Sequence, residues 1–180
     1  EIYTLSLHDA LPILASVVKS GEACTQLYFL INGSIRVITY SDDYGYSVEE
    51  QISAPYILQG EGVFGYHQRY THDFIASSDV NFITIDKEEL VRLSEDFLVF
   101  RLNLMNNFAT QTQKQLRLSW LHQPQSLRER VERFLTQHCV YPAGHKQFNI
   151  LMTRLADEMN DSRLNVSRVL NQMQKDGVVS

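Results

Sequence analysis

Hydrophobic and polar positions change their repeat near Asp86, and this change divides the 180-residue chain into two kinds of structure. Before Asp86, short apolar segments such as LYFLI (27–31) and the alternating SIRVITY (34–40) predict β-strands. The dipeptide Asn32-Gly33 between them is typical of a tight hairpin turn, because both residues tolerate positive φ angles. Two further strands follow, so this half of the chain predicts a small β-sandwich or barrel.

After Asp86 the apolar positions recur every three or four residues, which is the repeat of an α-helix. Residues 87–93 predict a short helix, and residues 94–123, which lack glycine and proline, predict one long helix. One apolar stripe of the long helix holds Leu98, Leu102, Met105, Ala109, Thr112, Leu116 and Ser119. A second stripe holds Phe97, Phe100, Leu104 and Phe108. A long helix with two apolar sides can rest on the β domain and on a second copy of the chain, so we predict a dimer helix; a plain core helix is the alternative.

Shorter helices are predicted after Pro124. Ser126 followed by Glu129 forms the pattern of a capping box at a helix start. Further on, an apolar face formed by Leu151, Leu155 and Met159 predicts a helix. Asn160 suits the left-handed conformation of a tight turn, Asp161 or Ser162 can cap the next helix, and Gly177 can end it.

The last predicted helix has two chemically different sides. Val166, Val169, Leu170 and Met173 form its apolar side. The opposite side carries Arg163, Leu164, Ser167, Arg168 and Asn171. Two short helices joined by a glycine-free turn with this spacing predict a helix-turn-helix; an ordinary helical hairpin with a solvated face is the alternative. Arginine, asparagine and serine supply donors for phosphate and for base edges, and a leucine can touch a thymine methyl group.

Charge is distributed unevenly along the chain. Residues 1–100 hold 5 Lys and Arg against 15 Asp and Glu, whereas residues 101–180 hold 11 against 6. An acidic first half and a basic second half indicate two modules, the second of which faces a polyanion. The two cysteines, Cys24 and Cys139, exclude a disulfide framework and a cysteine-rich metal site, and they fit the reducing cytoplasm.

Candidate catalytic and metal-binding groups are few. His67 and His72 are five residues apart and would point to opposite faces of a strand, so we interpret them as surface or loop histidines. We find no nucleophile–base pair and no paired carboxylates, and we expect no enzymatic activity, no metal and no cofactor. No apolar run is long enough to span a bilayer, and we expect no membrane association.

The first 13 residues, EIYTLSLHDALPI, show no clear helix or strand repeat. Back-translated codon by codon, they resemble a common sequencing-library adapter. We therefore set residues 1–13 apart from the fold and expect native sequence to begin near Leu14.

Residues 21–180 resemble the Crp/Fnr family of bacterial transcription regulators, which is related to the cyclic-AMP receptor protein. LYFLINGSIRV, GVFGY, the long helix and above all SRLNVSRVL followed by DGVV carry the resemblance. It implies an α+β fold: a cyclic-nucleotide-binding-like β-roll (a double-stranded β-helix) in residues 14–93, a dimerisation helix in 94–123, and a helix-turn-helix DNA-binding domain in 124–180. We expect the β-roll to be truncated at its N-terminus and the DNA-binding domain to lack its wing.

The resemblance also assigns roles to single residues. It places Ser162, Arg163, Asn165, Ser167 and Arg168 in a recognition helix, with the two arginines at positions that contact operator DNA. Many relatives carry an acid that reads cytosine where this chain has Leu164. The predicted DNA-binding set is Ser162, Arg163, Leu164, Asn165, Ser167, Arg168 and Asn171.

The effector pocket implied by the resemblance departs from the family pattern. Its predicted lining is Gly62, Val63, Phe64, Gly65, Tyr70 and Thr71. Val63 stands where nucleotide binders have a glutamate for the ribose, and Tyr70-Thr71 stands where they have an Arg-Ser pair for the cyclic phosphate. A shifted register that uses Glu61 and Arg69 is the alternative. We expect an effector other than cyclic AMP, or none.

The sequence therefore predicts a cytoplasmic, homodimeric transcription regulator. Its expected partners are double-stranded DNA and a second copy of the chain, and an unknown small-molecule effector and RNA polymerase are further candidates. Two alternatives stay open: an effector-free DNA-binding regulator whose β-roll is purely structural, and a cupin-type β-roll enzyme with a helical tail.

Overall fold

A computed structural model of the protein describes residues 5–119, 124, 126–140 and 144–180. The chain divides into two compact units. The first unit comprises Glu1–Ile38 and Gln51–Trp120, and the second comprises Thr39–Glu50 and Leu121–Ser180. The second unit thus combines the C-terminal third of the chain with a short segment from the β region.

Eight strands precede the α-helices in the described part of the chain. They are β1 (Leu5–Leu11), β2 (Ser16–Val18), β3 (Gln26–Asn32), β4 (Ser34–Tyr40), β5 (Ser47–Ser53), β6 (Tyr56–Leu58), β7 (His72–Ala76) and β8 (Val80–Asp86). One sheet has the order β1-β8-β3-β6, and the other contains β2-β7-β4-β5. The short strands predicted by the sequence are therefore present and form two sheets.

Strand β1 is a difference from the sequence prediction, which found no strand repeat in residues 1–13. Its backbone pairs antiparallel with β8, for example Leu5 with Ile85 and Leu7 with Ile83. Antiparallel pairing satisfies backbone donors and acceptors whatever the side-chain pattern, which explains why a strand forms without an evident repeat.

The turn at Gly33 also differs from the sequence prediction. Asn32-Gly33 does not close a hairpin between β3 and β4, because these strands lie in different sheets and β4 has β7 and β5 as neighbours. Gly33 has a φ of 88°, and a Cβ atom there would lie 2.2 Å from the Asp79 carbonyl oxygen. Glycine is therefore required at this point, where the chain passes from one sheet to the other.

The predicted helix over residues 94–123 is divided in the structure. α1 spans Lys87–Asp96 and α2 spans Leu98–Ser119, so residues 94–96 belong to the earlier helix, and residues 120–123 lie outside the described residues. Phe97 separates the helices with extended angles, φ −120° and ψ 99°. The break lets Leu93 of α1 and Leu104 of α2 both join the core formed with Leu27 and Leu90.

The two apolar stripes of α2 have different surroundings. Phe100, Leu104 and Phe108 of the second stripe pack on the core of the first unit. Leu102 and Met105 of the first stripe are exposed. Among the described residues, no helix is long and apolar enough to cross a membrane.

The second unit contains α3 (Leu127–Gln137), β9 (Lys146–Asn149), α4 (Met152–Glu158) and α5 (Arg163–Lys175). The capping box predicted at Ser126 and Glu129 is confirmed at the start of α3. Strand β9 pairs antiparallel with the first half of β5. One buried core joins the elements, formed by Tyr46, Val131, Phe134, Leu155, Ala156, Met159, Val166 and Met173.

Candidate nucleic-acid interface and effector pocket

The turn between α4 and α5 is built around Asn160, which adopts the predicted left-handed conformation with φ 48°. The Asn160 amide donates to the Asp157 carbonyl at 3.0 Å, and the Asp161 amide donates to the Ala156 carbonyl at 3.1 Å. This pair of bonds is the Schellman arrangement that ends a helix. The turn therefore reverses the chain without glycine and fixes where α5 begins.

Both ends of α5 are capped by the residues that the sequence indicated. The Ser162 hydroxyl accepts a hydrogen bond from the Asn165 amide at 3.2 Å, which satisfies a donor that the helix leaves unpaired. Gly177, with φ 73°, follows the last turn, and the Val178 amide donates to the Met173 carbonyl at 2.9 Å. The length of α5 is thus set by local chemistry at each end.

The two predicted sides of α5 are found in the structure. Val166 and Met173 are fully buried, and Val169 and Leu170 pack partly against the same core. Arg163, Leu164, Arg168 and Asn171 are exposed and Ser167 is half-buried. The prediction for α4 was partly wrong: Leu155 and Met159 are buried, but Leu151 precedes the helix as its cap and is 72% exposed.

Asp161 organises the start of α5. Its carboxylate accepts from the Ser162 amide at 2.8 Å and from the Asn165 side-chain amide at 2.9 Å, and it forms an ion pair with Arg130 of α3 at 2.9 Å. These hydrogen bonds and the nearby arginine lower the pKa of Asp161. One hydrogen of the Asn165 side-chain amide is therefore already used within the protein. The side-chain carbonyl oxygen and the second amide hydrogen remain for an external partner.

A second arginine of α3 forms an ion pair at the C-terminal end of α5. Arg128 pairs with Asp176 and with Glu132 at 2.9 Å, and hydrogen bonding to Arg128 lowers the pKa of Asp176. The carboxylates at both ends of α5 are therefore neutralised by α3. The sequence reasoning missed these pairs; the spacing of Arg128 and Arg130 on α3 was visible, but their partners depend on the packing of α3 against α5.

The outward face of α5 consequently keeps its positive charge. Arg163 and Arg168 are exposed, and in the described part of the chain no carboxylate forms an ion pair with either. Both guanidinium groups can offer several donors to one acceptor group at once. Such a face suits phosphate oxygens and the acceptor edge of guanine.

The predicted effector pocket in the first unit is organised by Gln59, which lies next to a short 3-10 helix, Gly60–Gly62. The Gln59 side chain accepts from the Thr71 amide at 2.8 Å and from the Thr71 hydroxyl at 3.0 Å. It also donates to the Arg69 carbonyl at 2.9 Å. These bonds tie the segment 69–71 to the end of β6.

Tyr70 and Val63, the residues predicted to replace the charged groups of cyclic-nucleotide binders, both lie in the interior. Tyr70 is 3% exposed and Val63 is 1% exposed. The Tyr70 hydroxyl donates to the Gln26 carbonyl at 3.2 Å, and burial raises the pKa of Tyr70. The neutral phenol of Tyr70 supplies no positive charge, and the alkyl side chain of Val63 supplies no hydrogen-bond acceptor.

The remaining residues of the predicted pocket differ in their exposure. Phe64 is exposed, with the Lys87 ammonium 5.4 Å from its ring centroid. Thr71 is exposed, whereas Gly62 is buried and Gly65 is half-buried. Glu61 and Arg69, the residues of the shifted register, are both exposed. Arg69 donates to the Gly21 carbonyl at 2.6 Å.

The thiols and the two histidines carry no evident chemistry. Burial raises the pKa of the Cys24 thiol and that of the Cys139 thiol to about 11 each, so both stay protonated at neutral pH. The interpretation of His72 as a surface or loop residue was wrong: it begins β7 and is half-buried, and burial lowers its pKa to about 4. His67 is exposed. Within the described residues, no group of three or more His, Cys, Asp and Glu side chains is placed to hold a metal ion.

Several solved structures of bacterial proteins are similar to this chain. The catabolite activator protein of Thermus thermophilus is 20% identical with a TM-score of 0.55, over 98% of this chain and 81% of that one. The c-di-GMP responsive global regulator CLP of Xanthomonas campestris is 22% identical with a TM-score of 0.52, over 96% and 88%. FixK2 of Bradyrhizobium japonicum is 14% identical with a TM-score of 0.53, over 97% and 86%.

The chain has the fold of these three proteins. The α+β architecture implied by the sequence resemblance is thereby confirmed. No protein-family model matches the sequence, and no curated protein matches it. At identities of 22% and below, the similarity establishes the fold alone.

Proposed function

We propose that this protein is a sequence-specific DNA-binding transcription regulator in which α4 and α5 act as a helix-turn-helix. The observation that carries the proposal is the outward face of α5, where Arg163 and Arg168 are exposed while Asp161 and Asp176 are paired with α3. Among the described residues, no carboxylate forms an ion pair with the two guanidinium groups of this face. The face therefore suits base edges and phosphates in a major groove.

The proposed working form is a homodimer. Leu98, Leu102 and Met105 of α2 are 57%, 49% and 59% exposed, and exposed apolar side chains in a continuous stripe are typical of a protein interface. A groove of about 310 Å³ lies beside the stripe, lined among others by Phe64, Val91 and Met105. A second copy of α2, whose exposed stripe is equally apolar, is the occupant that we propose for this surface.

We further propose that the β-roll either binds an effector other than cyclic AMP or serves only as a structural domain. The buried Tyr70 and Val63 support this proposal. RNA polymerase is a candidate partner of the DNA-bound dimer, and the cytoplasm is its expected location.

Selection of DNA from a random pool tests the proposed function. We expect the full chain to enrich paired, inverted half-sites whose centres lie about 34 Å apart, because a symmetric dimer presents two α5 helices to one face of DNA. The sites are identified by sequencing the bound fraction, and the mass of the protein is measured by sedimentation. No enrichment over the starting pool would contradict DNA recognition.

A matched pair of α2 variants separates dimerisation from DNA reading. Leu102→Glu places a charge on the exposed apolar stripe and is expected to give a monomer that enriches at most single half-sites. Asn103→Glu adds the same charge at the next, also exposed, position and is expected to remain a dimer. A wild-type chain that sediments as a monomer while it binds paired sites would contradict the proposed interface.

Cyclic AMP is not expected to bind measurably at micromolar concentration, because burying a cyclic phosphate without a charged partner is unfavourable. Isothermal titration calorimetry with the full chain checks this expectation. Micromolar affinity would support the shifted register, and Arg69→Ala should then abolish the binding.

A further inference from the structure

The hairpin tip 39–50, formed by the end of β4, a turn and the start of β5, belongs to the second unit although it lies far from α3 to α5 in the sequence. Tyr46 is 9% exposed and shares one core with Phe134, Val166 and Met173. Its ring centroid lies 5.5 Å from that of Phe134. The inward side of α5 is therefore packed in a core to which the hairpin tip contributes an aromatic residue.

A hydrogen-bond chain fixes the orientation of Tyr46. Nδ1 of His138 lies 2.7 Å from the Phe134 carbonyl oxygen, and Nε2 lies 2.8 Å from the Tyr46 hydroxyl. Because a carbonyl oxygen can only accept, Nδ1 donates to it, and Nε2 forms the hydrogen bond with the Tyr46 hydroxyl. The hairpin tip is thereby bonded to the last turn of α3.

Two carboxylates of the hairpin tip bind elsewhere in the second unit. Asp43 forms an ion pair at 2.8 Å with Arg154 of α4. Glu50 is 1% exposed; its carboxylate accepts from the Val140 amide at 2.7 Å and lies 3.4 Å from the Lys146 ammonium. A buried carboxylate is tolerated because a cation and an amide face it, and removal of its charge leaves those groups unmatched.

Backbone pairing completes the attachment. Ser47–Glu50 of β5 forms an antiparallel ladder with β9, with Val48 opposite Phe148. β9 leads directly into α4. The hairpin tip therefore contacts the end of α3, β9 and α4, and both α3 and α4 pack against α5.

We propose that the hairpin tip 39–50 is a positioning element for α5, with Tyr46 and Glu50 as positioning residues for DNA binding. The inference rests on the proposed function for its DNA readout. β4 begins and β5 ends among residues of the first unit, whereas Tyr46, Asp43 and Glu50 belong to the second.

Substitutions in the full chain test the proposal. Tyr46→Ala should weaken binding to the selected DNA by at least about tenfold and accelerate amide hydrogen exchange in α4 and α5, since it removes a shared core side chain. Tyr46→Phe keeps the ring and should recover most of the affinity. Tyr44→Ala is the matched control, because Tyr44 lies on the same turn with its side chain 77% exposed; it should behave as wild type.

Glu50→Gln keeps the size of the side chain and should weaken DNA binding severalfold, so it provides a test if Tyr46→Ala does not fold. All affinities are measured at a temperature where circular dichroism shows each variant as folded as wild type. The proposal is overturned if Tyr46→Ala and Glu50→Gln fold and both keep the DNA affinity and the amide hydrogen exchange of wild type. It is also overturned if exchange accelerates in β3 and β8 as much as in α4 and α5. If the wild-type chain binds no DNA, the proposed function is wrong. Hydrogen exchange in α4 and α5 of the Tyr46→Ala variant then decides by itself whether the hairpin tip positions α5.

Discussion

Val166→Asp is expected to unfold α4 and α5 while the first unit keeps its structure. Val166, on the inward side of α5, is fully buried in a core of apolar residues, and a carboxylate at this position would be removed from water. Such a substitution typically costs about 3–5 kcal/mol, which is most of the free energy of unfolding of a small domain. Hydrogen exchange followed by mass spectrometry should show loss of protection in residues 152–175.

Leu164→Asp is the control for this experiment, because it makes the same chemical change two residues earlier on the helix at a side chain that is 61% exposed. We expect its exchange pattern to match wild type throughout. If Val166→Asp also retains wild-type protection in α5, the packing of this helix differs from the structure described above.

The arginines of α5 are expected to dominate recognition of DNA. Arg163→Ala and Arg168→Ala should each weaken binding to the selected DNA by about 1–3 kcal/mol if the side chain contacts a base, and should relax the preference at one position in each half-site. If either contacts only phosphate, the loss should be uniform across sequences and the salt dependence should become shallower. A titration series over several salt concentrations with matched and altered DNA sites distinguishes the two roles.

Arg92→Ala removes an equal charge from α1 of the first unit, where Arg92 pairs with Glu89 at 2.9 Å. It serves as the control for a general effect of net charge and should leave both affinity and preference unchanged. Wild-type binding by both α5 variants would show that this helix does not read DNA, and the outward face would then be an ordinary solvated surface.

The turn and the ends of α5 could be predicted from the sequence because their chemistry is local. Asn160, Ser162 and Gly177 each act on backbone groups within five residues of themselves. A left-handed turn residue, a hydroxyl cap and a terminating glycine therefore leave a signature in a short stretch of sequence. The burial of Val166 and Met173 followed from the helical repeat for the same reason.

Strand partners could not be predicted in this way. The preference of Gly33 for a positive φ was correctly anticipated, but whether β3 pairs with β4 depends on distant strands that compete for the same edge. The break at Phe97 also has no local signal, since no glycine or proline lies nearby. It follows from the placement of Leu93 and Leu104 against one core.

For some residues, the sequence indicates a buried or bonded side chain but does not identify its partner. In β5, the alternation of Val48, Glu50 and Ile52 places a carboxylate on the apolar side of a strand, which signals a buried partner. One of its partners, the amide of Val140, lies 90 residues along the chain, and no periodic pattern identifies it. The intramolecular bond from Asn165 to Asp161 likewise depends on a rotamer that residue type alone does not fix.

The place of Tyr46 in the core around α5 has a consequence for synthesis of the chain. Tyr46 leaves the ribosome long before Val166 and Met173, with which it shares that core. The core can close only after both ends of this long stretch have emerged, so the second unit has the high contact order of a slowly folding domain although its own helices are local. Until then, the aromatic side of the nascent hairpin is exposed, and this interval is when the growing chain is most open to chaperones and to self-association.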